Sequence, residues 1–366
     1  MVKLNINKID GKYNGSECFV HARMCADGDL RVMTMQKLYV RGSDLFSPLF
    51  VSVSHDGGDS WSEPVPDGAF ILNSDDGMEI VACDASLLTH KKSGKMIITG
   101  AVACYGENDT HPIESAQNKT FYSVFDRGTE KFAPIRFIDI PPEYGFRCCN
   151  PCCSQFIEDD SGDLLIPVNV CKGRDTYFVT IVMKCSFDGS EIKFKEFGNE
   201  LEFKSARGLY EPSICKFKEK YYLTLRNDDY AFYAVSNDGL HFSEPEMWKW
   251  DTDEILPSYN TQQHWLICAG KLYLVYTRRA GNNDHVFRHR APLFIAEVDV
   301  EKMRILRHTE QIAAPERGAR LGNFGVSYIN ENHSVITAAE WMQPAGCEKY
   351  GSDNSIYVTE VTAEEK

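Results

Sequence analysis

Short apolar runs alternate with polar positions along almost the whole chain, and clusters of Gly, Asp, Asn and Pro break them every few residues. FVSVS from Phe50 is one such run, and the turn SHDGGDSW, Ser54 to Trp61, begins on its last residue. A period of two predicts half-buried strands, and no long segment carries the three-to-four spacing of an amphipathic helix. The pattern predicts a nearly all-β chain.

The turn recurs as SNDGLHF from Ser236, more loosely as SFDGSEIKF from Ser186, and in worn form as SVFDRGTEKF from Ser123. Its short Ser and Asp side chains can bond nearby backbone N–H groups, Gly supplies positive φ, and the aromatic residue packs back across the hairpin. Those properties predict a folding staple rather than a reaction site. A longer repeat runs beside it. Six segments of apolar run, turn and second apolar run begin at Val20, Cys83, Cys149, Tyr210, Gln263 and Gly322, at intervals of 63, 66, 61, 53 and 59 residues. A period of roughly sixty, with four short strands per unit, predicts a six-bladed β-propeller that occupies residues 1–366 as a single domain. The first apolar run of each unit is then the strand beside the axis, and the Asp-rich turn joins the third strand to the fourth. LNINKI near the N-terminus is expected to close the ring against the last blade. MWKW, Met247 to Trp250, reads as inter-blade packing.

A formal net charge of −14 argues against nucleic acid or an anionic membrane as partner, since both need a basic face. No apolar run has the length of a membrane span and MVKLNINKIDGKYNG has no leader core, so the chain reads as cytoplasmic, with an exported form trimmed of its leader as the alternative. The thirteen cysteines are scattered or adjacent, which predicts reduced thiols. CCNPCC, Cys148 to Cys153, has one Cys-x-x-Cys spacing and no second pair to complete a tetrahedral site, so neither metal nor cofactor is expected. No protein partner is evident.

The first column of the repeat holds His21, Asp84, Asn150, Glu211, His264 and Asn323, all polar beside apolar or small neighbours. Packed cores do not select such a ring, whereas a water-filled pocket on the axis does. Near the ends of the second strands stand Gln36, Asn169, Arg226, Arg278, Arg279 and Glu340. RRAGNNDHVFRHRAP, Arg278 to Pro292, concentrates Arg beside the axis of an acidic chain, and PERGARLGN adds Arg317 and Arg320. Carboxylates and imidazoles that move protons, next to planar guanidinium forks, suit the chemistry of anionic sugars.

The Asp-rich turns, the YEPS…LTLRND stretch and the six-unit repeat resemble the sialidase superfamily of Asp-box propellers, also described as BNR repeat proteins. The resemblance covers most of the chain at the level of fold and four positions at the level of the site. Glu211 and Arg226, 15 residues apart, look like the family's Glu followed by a carboxylate-gripping Arg. RHRAPLFIAEVD is similar to the stretch with another carboxylate-binding Arg, here Arg290, or Arg288 in a shifted register. GSDLFSPLF places Asp44 where the family's acid/base Asp stands. Two departures matter. At the place of the family's Arg-Ile-Pro motif stand Val20 and His21, with Arg23 nearby but set elsewhere by strand alternation, and at the place of its nucleophilic Tyr stands Asn323. The expectation is a glycoside hydrolase with a rebuilt centre that acts on a glycan carrying a sialic or uronic acid. Arg226, Arg290 and Arg278 would hold the acid group, with Asp84, Asn150, Asn323 and Glu340 lining the site; Asp44 would donate the proton, and Glu211 with His264 or His21 would act as base or electrostatic partner. A non-catalytic carbohydrate-binding propeller and a uronate-directed lyase are the alternative readings.

Overall fold

The computed structural model describes residues 2–40, 45–73, 79–106, 119–172 and 177–364. Six antiparallel sheets form six blades about one axis, as the repeat predicts. Blade one is typical: Glu17–Asp27 lies innermost, then Leu30–Tyr39, Phe46–Ser54 and the short outer strand Val65–Pro66. The inner strands of the next four blades are Glu79–His90, Phe146–Asn150 continued by Ile157–Glu158, Tyr210–Phe217 and His264–Cys268. In the last blade Arg320–Leu321 and Gly325–Asn330 share that place. Its outer strand is Val2–Asp10, paired antiparallel with Ser355–Ala363 from Val2 opposite Ala363 to Asp10 opposite Ser355. The N-terminal segment therefore completes the ring, as LNINKI suggests.

Alternation explains why the runs look so uniformly apolar. Each sheet is sandwiched between two others, so successive residues of one strand enter different interfaces. Ile97 packs toward blade three with Leu164 and Ile166, while its neighbour Ile98 packs toward blade one with Val32 and Val51. Leu165 in turn packs against Ile214 and Leu223 of blade four. Trp248 is buried between blades four and five with Tyr222 and Trp265, so the MWKW aromatics serve packing.

The Asp-rich turns join third and fourth strands and satisfy their own backbone. Ser54 Oγ accepts from the Gly58 N–H (2.8 Å) and donates to Asp56 Oδ1 (2.8 Å), which accepts from the Ser60 N–H (2.9 Å). Gly57 and Gly58 adopt φ of 71° and 96°, and Trp61 Nε1 donates to the Gly58 carbonyl at 3.2 Å. Asp238 repeats this geometry, accepting from the N–H groups of Leu240 and His241. One cysteine expectation is corrected: Cys148 and Cys171 face each other on neighbouring strands, with Cα atoms 5.4 Å apart, and form a disulfide.

Candidate functional site

In blades one, two and four the inner strand slips register once, between Val20 and Arg23, between Cys83 and Ser86, and between Tyr210 and Ser213. Inside each slip sits a left-handed residue other than glycine: His21 (φ 57°), Asp84 (φ 48°) and Glu211 (φ 44°). Such backbone costs about 1–3 kcal/mol per residue and persists only where surrounding contacts hold it. A bulge also breaks the strict alternation of the strand, which frees these side chains to meet partners from other blades. Blades three and five bring different residues forward. Cys153 (φ 58°) and Asn260 (φ 46°) join the site, in place of the aligned Asn150 and His264.

Two asparagines connect the group. The Asn323 N–H donates to His21 Nδ1 (2.8 Å), and its Nδ2 donates to Asp84 Oδ1 (3.0 Å) and to Cys153 Sγ (2.8 Å). The Cys153 thiol donates to the same Asp84 oxygen at 3.1 Å. The Asn260 side-chain oxygen accepts from Arg226 Nη2, and its main-chain carbonyl accepts from Arg290 Nη2 at 3.1 Å. Arg226 Nη1 donates to the Glu211 carboxylate, while the Glu211 N–H is held by Asn169 Oδ1 at 2.7 Å. Tyr210 lies between the guanidinium groups of Arg207 and Arg226, each 4.7 Å from its ring centre, and its hydroxyl donates to Asp228 at 2.6 Å. All six blades contribute to this network.

Its charges are unevenly compensated. Arg226 is buried and ion-paired with Glu211. Arg290 is 5% exposed, has no carboxylate partner among the described residues, and has a buried Nε with no acceptor. Burial, and then the neighbouring Arg226, push its pKa down to about 10. A desolvated guanidinium with an open N–H favours an incoming anion, because charge-assisted hydrogen bonds are strongest where water is excluded. Burial, followed by the charges of Arg23 and Arg290, holds His21 well below the ordinary imidazole range and therefore neutral. Since Nδ1 accepts the Asn323 N–H, the proton resides on Nε2. Among the described residues nothing accepts from Nε2, and the imidazole packs against the rings of Trp341 (5.6 Å between centres) and Phe46 (6.1 Å). His21 is thus built as a hydrogen-bond donor, not as the base that its position in the repeat suggests.

Four other expectations change. His264 is fully enclosed: Nδ1 meets Ser213 Oγ at 2.7 Å and Nε2 meets the Phe324 carbonyl at 3.0 Å, so it braces blades four, five and six and has no nitrogen for substrate. Arg278 turns away to Glu310, donating at 2.8 and 2.6 Å, and stacks over Phe294. Glu340 is buried against Tyr357 Oη (2.8 Å) and the Ser355 N–H (3.0 Å) within blade six. Asn150 accepts from the Cys152 thiol at 2.8 Å and packs beside the network without entering it. Asp44 lies outside the described residues. His21, Asp84, Glu211, Arg226, Arg290 and Asn323 come together, and sequence reasoning missed Cys153, Asn260 and Tyr210. The doubled Cys in CNPCC and the polar run SYNTQQH before the blade-five strand are the signals that could have found the first two.

Burial pushes the His264 pKa down to about 3 from 6.5, so the folded state refuses a proton that the unfolded chain takes up. Stability is complete above pH 6.5 and falls as the pH drops toward 3, by about 1.4 kcal/mol per pH unit for this group. Urea midpoints of the wild type and His264→Gln across that window should diverge in slope. Parallel slopes would remove His264 as a source of acid sensitivity.

Neither a family profile nor a curated protein matches the sequence. Solved structures do match in fold. A Dyadobacter fermentans protein of unknown function aligns over 98% of this chain and 99% of its own, with a TM-score of 0.68 and 16% identity. Trypanosoma rangeli sialidase, in complex with sialic acid, aligns over 98% of this chain but 58% of its own length, with a TM-score of 0.60 and 15% identity. A leech intramolecular trans-sialidase, complexed with 2,7-anhydro-Neu5Ac, aligns over 98% and 70%, with a TM-score of 0.64 and 11% identity. The chain therefore has the sialidase-like six-bladed propeller fold and spans somewhat more than half of the trypanosomal enzyme.

Proposed function

We propose that the protein is a glycoside hydrolase that acts on a glycan carrying a carboxylated sugar. One observation carries this reading: buried Arg290 has an unpartnered N–H and no carboxylate ion-paired to it among the described residues, next to the Arg226–Glu211 pair at the polar centre of a sialidase-like propeller. Arg290 and Arg226 take the sugar carboxylate. His21 Nε2 donates to a sugar oxygen, because its tautomer leaves it nothing to accept with. The carboxylates of Asp84 and Glu211 flank the centre, where negative charge stabilises an oxocarbenium-like transition state. Asp44, placed by resemblance alone, is the proposed proton donor.

A second reading has its own support. Asn323 stands where the sialidases' nucleophilic Tyr would, and its amide is tied to Asp84 and Cys153, an arrangement equally suited to a non-catalytic acidic-sugar receptor. The lyase reading lacks its base, since neither His21 nor His264 presents a free nitrogen lone pair. Purified protein incubated with oligosaccharides ending in sialic acid, glucuronate or rhamnosyl-glucuronate should release reducing sugar without absorbance from unsaturated uronate. Saturable binding without any product would select the receptor, and an unsaturated product would overturn the assignment of both histidines.

A further inference from the structure

Beyond the centre, the segment that positions the arginines continues to the surface. Tyr259 immediately precedes Asn260, and the guanidinium of exposed Arg279 lies 4.0 Å from the centre of the Tyr259 ring, with His289 edge-on to it at 5.7 Å. Arg288 is also exposed, two residues before Arg290, and close enough that its charge bears on Arg290. Neither Arg279 nor Arg288 has a carboxylate partner among the described residues. The acidic side chain on this loop is Asp284, almost fully exposed and 3.7 Å from His289 Nδ1.

The loop is held in an expensive shape. Ala280, Asn282, Arg288 and His289 all have left-handed φ, between 51° and 57°. Buried Asn283 clamps the loop: its Nδ2 donates to the carbonyls of Arg278 (2.9 Å), His289 (3.3 Å) and Ala291 (2.7 Å). Backbone of this kind persists only where surrounding contacts hold it, and here it fixes exposed Arg279 and Arg288, neither with a carboxylate partner among the described residues, on the loop that leads to Arg290, where an anion finds unspent N–H donors.

We infer that Arg279 and Arg288 continue the carboxylate site outward as a second cationic step, and that the ligand is a polyanionic oligosaccharide with acidic groups on successive residues rather than a glycan with one acidic end. This rests on the reading of Arg290 given above. The Tyr259 ring beneath Arg279 would hold that guanidinium in place for an acidic group.

Calorimetric titration of the intact protein with sialic acid and its tetramer, and with galacturonic acid and its tetramer, tests the inference. One tetramer should bind about tenfold tighter than its monomer at low salt, the gain expected from two exposed ion pairs, and the gain should shrink as salt rises. Arg279→Ala combined with Arg288→Ala should erase that gain, so that the ratio of tetramer to monomer affinity falls to about one whatever small shift the monomer affinity itself shows. A gain that survives the double substitution, or equal affinities for monomer and tetramer in the wild type, would overturn the inference. Arg290→Met separates the two levels: it should abolish binding of monomer and tetramer alike, and if both bind it unchanged, the reading of the central site is the one that fails.

Discussion

Arg290→Met is expected to lower affinity for an acidic-sugar ligand by a factor on the order of 100 or more, while leaving the fold as stable as the wild type or more so. The loss follows from deleting one side of a buried, charge-assisted contact, which costs about 2–5 kcal/mol. The stability result follows from the same burial. Arg290 carries a desolvated charge with no ion-paired carboxylate among the described residues, where its hydrogen bonds are the one to the Asn260 carbonyl and a long contact of 3.5 Å to Asn323. An apolar chain of similar length removes the desolvation cost of that charge, so folding stability should not fall. Arg278→Met provides the control, because Arg278 spends its charge on Glu310 away from the network; ligand affinity should not change. Thermal unfolding and titration of the three proteins decide the matter. Wild-type affinity in Arg290→Met, together with a lowered melting temperature, would make Arg290 a structural residue and remove the main support for an acidic ligand.

Glu211→Gln is expected to act in the opposite sense, destabilising the protein by about 3–5 kcal/mol, because it strands a buried guanidinium. The Arg226 side chain is 4% exposed and that of Glu211 13% exposed; Arg226 Nε has no acceptor among the described residues, and Glu211 is the carboxylate in direct ion pair with it, Asp228 acting from farther off. Glu211→Gln combined with Arg226→Met should recover much of the loss, a large coupling in a double-mutant cycle. An acidic ligand should rescue Glu211→Gln more strongly than it stabilises the wild type, since its carboxylate takes the empty place beside Arg226. Denaturant midpoints with and without ligand provide the measurement. A single-variant loss below about 1 kcal/mol would mean that water reaches Arg226 and that the pair is not desolvated.

Much of the architecture is legible in the residues. Local rules write it: strand alternation, the Ser-x-Asp-Gly turn with its own hydrogen bonds, and a unit that cannot bury both faces of its sheet without neighbours. Ile97 and Ile98 enter different interfaces because a strand points its side chains alternately, and that follows from sequence position alone. The polar first column is visible for the same reason, and six of its and its neighbours' members do converge: His21, Asp84, Glu211, Arg226, Arg290 and Asn323.

What those side chains can do was decided by contacts that no local pattern encodes. His21 became a donor because the N–H of Asn323, 302 residues away, occupies Nδ1; His264 was closed off by Ser213 and Phe324, and Arg278 was neutralised by Glu310. Asn150 gave way to Cys153 because the inner strand breaks after Asn150 and a turn puts Cys153, with φ 58°, against Asp84 and Asn323. The blades, their closure and the ring of polar residue types follow from the order of residues, since these depend on period and turn chemistry. Which polar group keeps a spare hydrogen bond and which charge lacks an ion pair came from the assembled fold, because both are properties of the neighbours that other blades bring to the axis.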